Sequence, residues 1–138
     1  MRTVEIIIQD LESSNSSIRN KAALDLMDMQ AEGAVEPLLK AISKPENVNH
    51  RGTLVYALTA FNCEQYLEVI VDLALTGNYE VAAEACSIIS ELKSSPENVN
   101  RLQKQLLKYD AKKIITEHNH AAHQELLEFV ASESESAR

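Results

Sequence analysis

The chain has 138 residues, of which 45% are apolar and 4% aromatic, and its formal net charge is −8 at pH 7. This charge argues against nucleic acid or an anionic membrane as the main partner, because both favour a cationic protein surface. With three glycines and three prolines the chain has little material for tight β-turns, so helices joined by short polar corners are favoured over many short strands.

The spacing of apolar residues predicts helices along the whole chain. Short polar clusters and prolines mark the corners, because these residues can cap a helix or occupy its first turn. After the seventh helix we expect Asp110 to begin a final long helix, and residues 132–138 to form a disordered acidic tail. The predicted domain is therefore 1–131. The first seven predicted helices cover residues 3–12, 16–30, 33–43, 46–61, 64–75, 79–93 and 96–109.

A nine-residue pattern recurs three times, starting at residues 3, 34 and 66, so successive copies are 31 and 32 residues apart. Each copy places apolar groups, one glutamate and one further polar residue at matching positions. A period of this size is typical of a solenoid, in which each repeat is a helical unit that cannot bury its apolar face alone. The copies are Thr3–Leu11, Ala34–Ile42 and Tyr66–Ala74.

Another helix recurs between these copies, and in it a small residue follows a β-branched residue by one turn. The small residues are Ala22, Gly52 and Ala85. A small residue on this helix face lets neighbouring backbones approach closely, as stacked helix pairs require. Glycine inside a helix costs roughly 0.5–1 kcal/mol relative to alanine, so Gly52 indicates either tight packing or a local irregularity.

With both helices placed, the chain resembles the HEAT-repeat proteins, and among them the short-repeat group named after phycobilisome lyases. Ile18–Leu24 is similar to that family's Val-Arg-x-x-Ala-x-x-Leu core, and Ala34–Ile42 is similar to its second helix. The resemblance covers residues 3–93, and armadillo-type solenoids are close competitors. It implies an all-α fold, a right-handed α-solenoid of about three to three and a half helix pairs with a C-terminal capping helix. It also implies protein recognition by a concave side that the second helices line, and no catalytic residue.

Two rows of polar residues recur on the outward side of the nine-residue copies, which correspond to the second helices of the repeats. The two rows are four residues apart and therefore lie on one helix face. Stacked repeats would place the three glutamates about 10 Å apart. Such an acidic strip can recognise a basic segment of a partner protein, and the plain alternative is a solvated face. The candidate partner-binding residues are Glu5, Glu36, Lys40, Glu68 and Asp72.

Two further clusters lie near the C-terminus. Residues 101–113 are rich in lysine and arginine. A basic segment of this kind can contact a phosphate, pair with charges of a neighbouring subunit or form a solvated face. Glu117, His120 and His123 are spaced by three, and imidazole with carboxylate on one helix face can bind zinc or iron. Because a di-iron site needs a second such motif on another helix, and none is found, we predict no metal.

The sequence offers no set of nucleophile, base and acid, and its scattered glycines cannot build a phosphate-binding loop. We therefore expect neither catalysis nor a cofactor. Cys63 and Cys86 lack metal or redox spacing and are expected to be reduced thiols of a cytoplasmic protein. The longest apolar run, Ile6–Ile8, is too short to span a membrane.

The sequence thus favours a non-catalytic interaction module that presents a rigid, concave, acidic surface to another protein. One alternative is an accessory subunit that holds a substrate protein for an enzyme, as the lyase-named relatives suggest. Another is a toxin-neutralising immunity protein, because an acidic surface complements a basic nuclease toxin.

Overall fold

A computed structural model of the chain describes residues 3–92, 95–112 and 119–136, and all regular structure within these ranges is helical. The predicted all-α class is therefore confirmed. Two short 3-10 turns, Pro45–Asn47 and Glu64–Tyr66, accompany the α-helices. The α-helices are α1 (Val4–Asp10), α2 (Ser16–Met29), α3 (Val35–Ile42), α4 (Gly52–Leu58), α5 (Leu67–Thr76), α6 (Tyr79–Ser90), α7 (Pro96–Lys112) and α8 (His120–Ser136).

The chain divides into two compact units, Met1–Asn62 and Cys63–Arg138, whereas the sequence predicted one domain over 1–131. In the first unit α2 packs against α1 and α4, and α4 also packs against α3. In the second unit α5 packs against α6, α7 and α8, and α8 also contacts α6 and α7. Each helix thus buries one apolar face against others of its own unit, which is what gives short helices their stability.

Polar residues at the corners start the helices, as their side-chain chemistry predicts. Thr3 Oγ1 accepts a hydrogen bond from the amide of Ile6 at 3.3 Å. Asn15 Oδ1 accepts bonds from two amides in the first turn of α2, the closer being that of Ser17 at 2.8 Å. These oxygens satisfy amides that have no partner within the helix.

The burial pattern corrects the register of the helix that recurs between the nine-residue copies, which is α2, α4 and α6. Gly52 was predicted to lie in mid-helix at the position of Ala22 and Ala85, but it is the first residue of α4. Leu54 occupies the equivalent buried position instead. The same spacing of buried residues is found in three helices: Ala22, Ala23 and Leu26 in α2, Leu54, Val55 and Leu58 in α4, and Ala85, Cys86 and Ile89 in α6.

The helix predicted over 46–61 is broken near its start. A 3-10 turn covers Pro45–Asn47, and α4 begins only at Gly52. The buried side chain of Asn47 donates from Nδ2 to the carbonyl of Ala41 at 2.8 Å. This bond satisfies a carbonyl in the last turn of α3, which has no partner within the helix. The local side-chain contact therefore takes precedence over a continuous helix.

The C-terminal helices also differ from the prediction. Asp110 lies within α7, which continues to Lys112, and therefore does not begin the final helix. The final helix begins at His120 and continues to Ser136, so most of the segment 132–138 that was predicted to be disordered is helical. Just before it, Asn119 donates from Nδ2 to the carbonyl of Leu75 at 3.0 Å, which ties the start of α8 to the end of α5.

Replacing Ala22 or Ala85 with leucine is expected to lower the free energy of unfolding by about 1–3 kcal/mol, because both side chains are fully buried and the added methyl groups have no space. Ala83→Leu, on an exposed face of the same helix α6, is the matched control and should change it by less than about 0.5 kcal/mol. Urea unfolding followed by circular dichroism measures all three. Equal stabilities would contradict the packing described above.

Candidate functional site

Three of the predicted partner-binding residues, Glu5, Glu36 and Lys40, lie in the first unit and are exposed as expected. Lys40 Nζ is 3.6 Å from Glu12 Oε1, a solvated ion pair that contributes little to stability. Glu36, Lys40, Glu12 and Lys44 line a groove of about 340 Å³ between α1 and α3. Because its charges are balanced, this groove has no strong preference for a cationic partner.

Glu68, the third glutamate of the predicted acidic strip, lies in the second unit and is held by Arg101 of α7. Arg101 Nη2 donates to Glu68 Oε1 at 2.7 Å, and Arg101 Nε donates to Oε2 at 2.9 Å. This paired geometry is the favourable one for arginine and carboxylate. The hydrogen bonds from Arg101 lower the pKa of Glu68, and those to Glu68 raise the pKa of Arg101.

Asp72 lies one turn further along α5 and also binds to α7. Its Oδ1 accepts hydrogen bonds from Gln105 Nε2 at 2.7 Å and from the hydroxyl of Tyr109 at 2.6 Å. Burial of the phenol, together with this bond to a carboxylate, raises the pKa of Tyr109. The side chains of Asp72 and Glu68 therefore connect α5 to α7.

The expectation that the polar positions of the second helices face outward thus holds for Glu5 and Glu36, while Glu68 and Asp72 bond to a neighbouring helix. A partner that bound Glu68 or Asp72 would compete with these internal hydrogen bonds. Their role in partner binding stays a prediction.

The basic segment 101–113 is only partly available to a ligand. Arg101 is engaged with Glu68, and Lys104 and Lys108 are exposed on α7. Lys113 lies outside the described residues.

The candidate metal cluster is likewise only partly described. Glu117 lies outside the described residues, His120 is exposed, and His123 is buried on α8. Across residues 3–92, 95–112 and 119–136, no group of three or more His, Cys, Asp or Glu is arranged to hold a metal ion. That the cluster binds no metal stays a prediction.

The sequence did not reveal a groove of the second unit that lies between α6 and α8. Its volume is about 780 Å³, and alanines contributed by both helices form much of its lining. Tyr79, at the start of α6, lines it and is 89% exposed. Glu125 and Glu128 line it from α8, and no lysine or arginine of the described residues does. The groove therefore combines an exposed aromatic ring with negative charge.

Cys86 lies in this groove but is not a reactive nucleophile. Its side chain is buried, and burial, with a smaller effect from Glu125, raises the pKa of the thiol to about 12. Burial likewise raises the pKa of Cys63 to about 11. Since the thiolate is the reactive form, both groups stay protonated and unreactive near neutral pH. The groove therefore offers no reactive thiolate at this position.

Glu68→Gln is expected to make the free energy of unfolding change less as the pH is lowered into the acidic range. The folded-state pKa of Glu68 lies below its ordinary value of 4.5, so its stabilisation is present above that pH and is lost as pH falls through the folded pKa. The side chain is 42% exposed, so the effect should stay below about 1 kcal/mol. Urea midpoints measured between about pH 7 and pH 3 test this, with Glu32→Gln in an exposed loop as the control. A Glu68→Gln profile parallel to that of the wild type would contradict the pairing with Arg101.

Comparison of the chain with protein-family models, with curated proteins and with solved structures finds no match. Within the described residues, no helix has the length and hydropathy needed to cross a membrane.

Proposed function

We propose that the chain is a non-catalytic protein-interaction module that binds a basic segment of another protein. The observation that carries this proposal is the groove between α6 and α8, which is acidic, open and bordered by an exposed tyrosine. A groove of about 780 Å³ has room for several side chains of an extended or helical peptide.

The charge of the two helices supports a cationic partner. Neither α6 nor α8 contains a lysine or arginine, so no internal cation on these helices competes with one supplied by the partner. Opposite charge speeds association and disfavours acidic competitors. The glutamates of the two helices are Glu80, Glu84, Glu125, Glu128, Glu133 and Glu135.

Tyr79 is suited to anchor the partner. Its backbone is fixed, because Asn78 Oδ1 caps α6 by accepting a hydrogen bond from the amide of Val81 at 3.0 Å. A tyrosine loses little conformational freedom on binding and can stack on an arginine or a lysine stem. Exposed tyrosines of this kind are common at the energetic centre of interfaces.

The HEAT-like solenoid is the architecture that we propose for the module. The recurring buried positions of α2, α4 and α6 support it, as does the packing of successive helices within each unit. A scaffold of this type presents a rigid surface, so little ordering entropy is lost on binding. The acidic groove also suits the narrower role of an immunity protein, with a basic toxin as the partner. We propose a cytoplasmic location, because neither cysteine forms a disulfide.

Selection of a random peptide library against the purified chain is the direct test. The enriched peptides should be rich in lysine and arginine, and their binding should weaken as salt increases. Fluorescence anisotropy then compares the variants. Glu125→Gln with Glu128→Gln should weaken binding about two- to tenfold, because exposed charges each contribute about 0.2–1 kcal/mol. Tyr79→Ala should weaken it as well without loss of stability, since the ring is exposed.

The matched control removes the same charge elsewhere. Asp28→Asn with Glu32→Gln changes two exposed carboxylates of the first unit and should leave the affinity within about twofold. Equal weakening by both double variants would show a general effect of net charge and would argue against the groove. If the double variant Glu5→Gln with Glu36→Gln is instead the one that weakens peptide binding, the predicted acidic strip is the binding surface.

A further inference from the structure

Arg19 is buried, which is unusual for a charged side chain. It lies in the second turn of α2 and is 4% exposed. In the described parts of the chain, no other lysine or arginine, and no aspartate or glutamate, is buried. Removing a charge from water is costly unless a counter-charge and hydrogen bonds compensate for it.

The protein supplies Arg19 with little compensation. Its Nη1 donates to the carbonyl of Ser13 at 2.8 Å. Its Nε is buried without a hydrogen-bond acceptor, and no carboxylate of the described residues lies within ion-pair distance of the guanidinium. A guanidinium presents five donors in a planar fork that matches the oxygens of an oxyanion. Arg19 therefore has unused capacity to bind an anion.

The surroundings of Arg19 provide both space and further donors. Arg19 lines a cavity of about 310 Å³ that lies within the first unit. Lys44, His50, Ser14 and Ser16 also line this cavity, and each has a side chain that can donate a hydrogen bond. Ser16 is the first residue of α2, a helix of 14 residues, so the positive end of the helix dipole adds to the attraction for an anion.

We propose that this cavity binds a tetrahedral oxyanion of the phosphate or sulfate type. Arg19 supplies the planar fork, Lys44 a second positive charge, and the serine hydroxyls neutral donors. The site belongs to the first unit and shares no residue with the groove between α6 and α8, so it does not depend on the function proposed above.

Two carboxylates that line the cavity oppose the anion. Glu12 is exposed and pairs with Lys40, and Glu46 is exposed at the rim. They weaken the binding but also provide a test of opposite sign, because removing Glu46 should strengthen anion binding while removing Lys44 should weaken it. If removal of these two neighbouring charges changes the anion affinity in opposite directions, a general effect on stability cannot be the cause.

Inorganic phosphate is the probe, titrated into the wild-type chain against sodium chloride at equal ionic strength. Phosphate should raise the melting temperature by mass action. In ¹H–¹⁵N spectra the Nε–H signal of Arg19, assigned by its loss in Arg19→Met, should shift with phosphate concentration. A titration with a short phosphoserine peptide distinguishes the source of the anion: tighter binding of the peptide indicates a phosphorylated segment, and equal binding indicates the free ion.

The variants decide the location. Lys44→Gln should weaken phosphate binding about two- to fivefold, and Glu46→Gln should strengthen it by a similar factor. Arg19→Met keeps the length and apolar stem of the side chain and should abolish the response. The proposal is overturned if phosphate shifts neither the melting temperature nor the Nε–H signal. It is equally overturned if Arg19→Met responds as the wild type does, or if Lys44→Gln and Glu46→Gln change the affinity in the same direction.

Discussion

The second unit depends on the burial of α5, which packs against three other helices. Six of its ten residues are buried, and a helix of this length is not stable alone in water. Its acids Glu68 and Asp72 lie on the side that packs against α7, where a carboxylate without a donor would be costly. Arg101, Gln105 and Tyr109 recur every four residues on α7 and supply those donors. The polar contacts are thus a consequence of the apolar packing.

The same packing explains the groove of the second unit. Both α6 and α8 are held against α5, and their facing residues include Ala82, Ala83, Ala121 and Ala122. Alanines leave the space that larger side chains would fill. Two helices held by a third, with small residues between them, therefore leave an open groove at the surface of the unit.

The helices were largely predictable, because each buries one face and the spacing of apolar residues shows which face it is. Two of the errors occurred where a single side chain decides the local structure. Asn47 bonds to the end of α3 and interrupts a predicted helix, and the position given to Gly52 belongs to Leu54.

The candidate sites were harder to predict from sequence for a similar reason. Glu68 matches Glu36 in the repeat, yet only the packing of α7 brings Arg101 to it. The alanines of the groove lie on helices far apart in the sequence, and no local pattern pairs them.

The two cysteines both belong to the second unit, and both are buried. Cys63 is fully buried, so a thiol reagent can reach it only when the second unit opens, and its labelling rate reports the free energy of that opening. Cys86 also lines the groove, and a bound chain that covered it would slow its labelling more than that of Cys63. The labelling rate of Cys63 therefore reports opening of the second unit, and that of Cys86 reports whether the groove is covered.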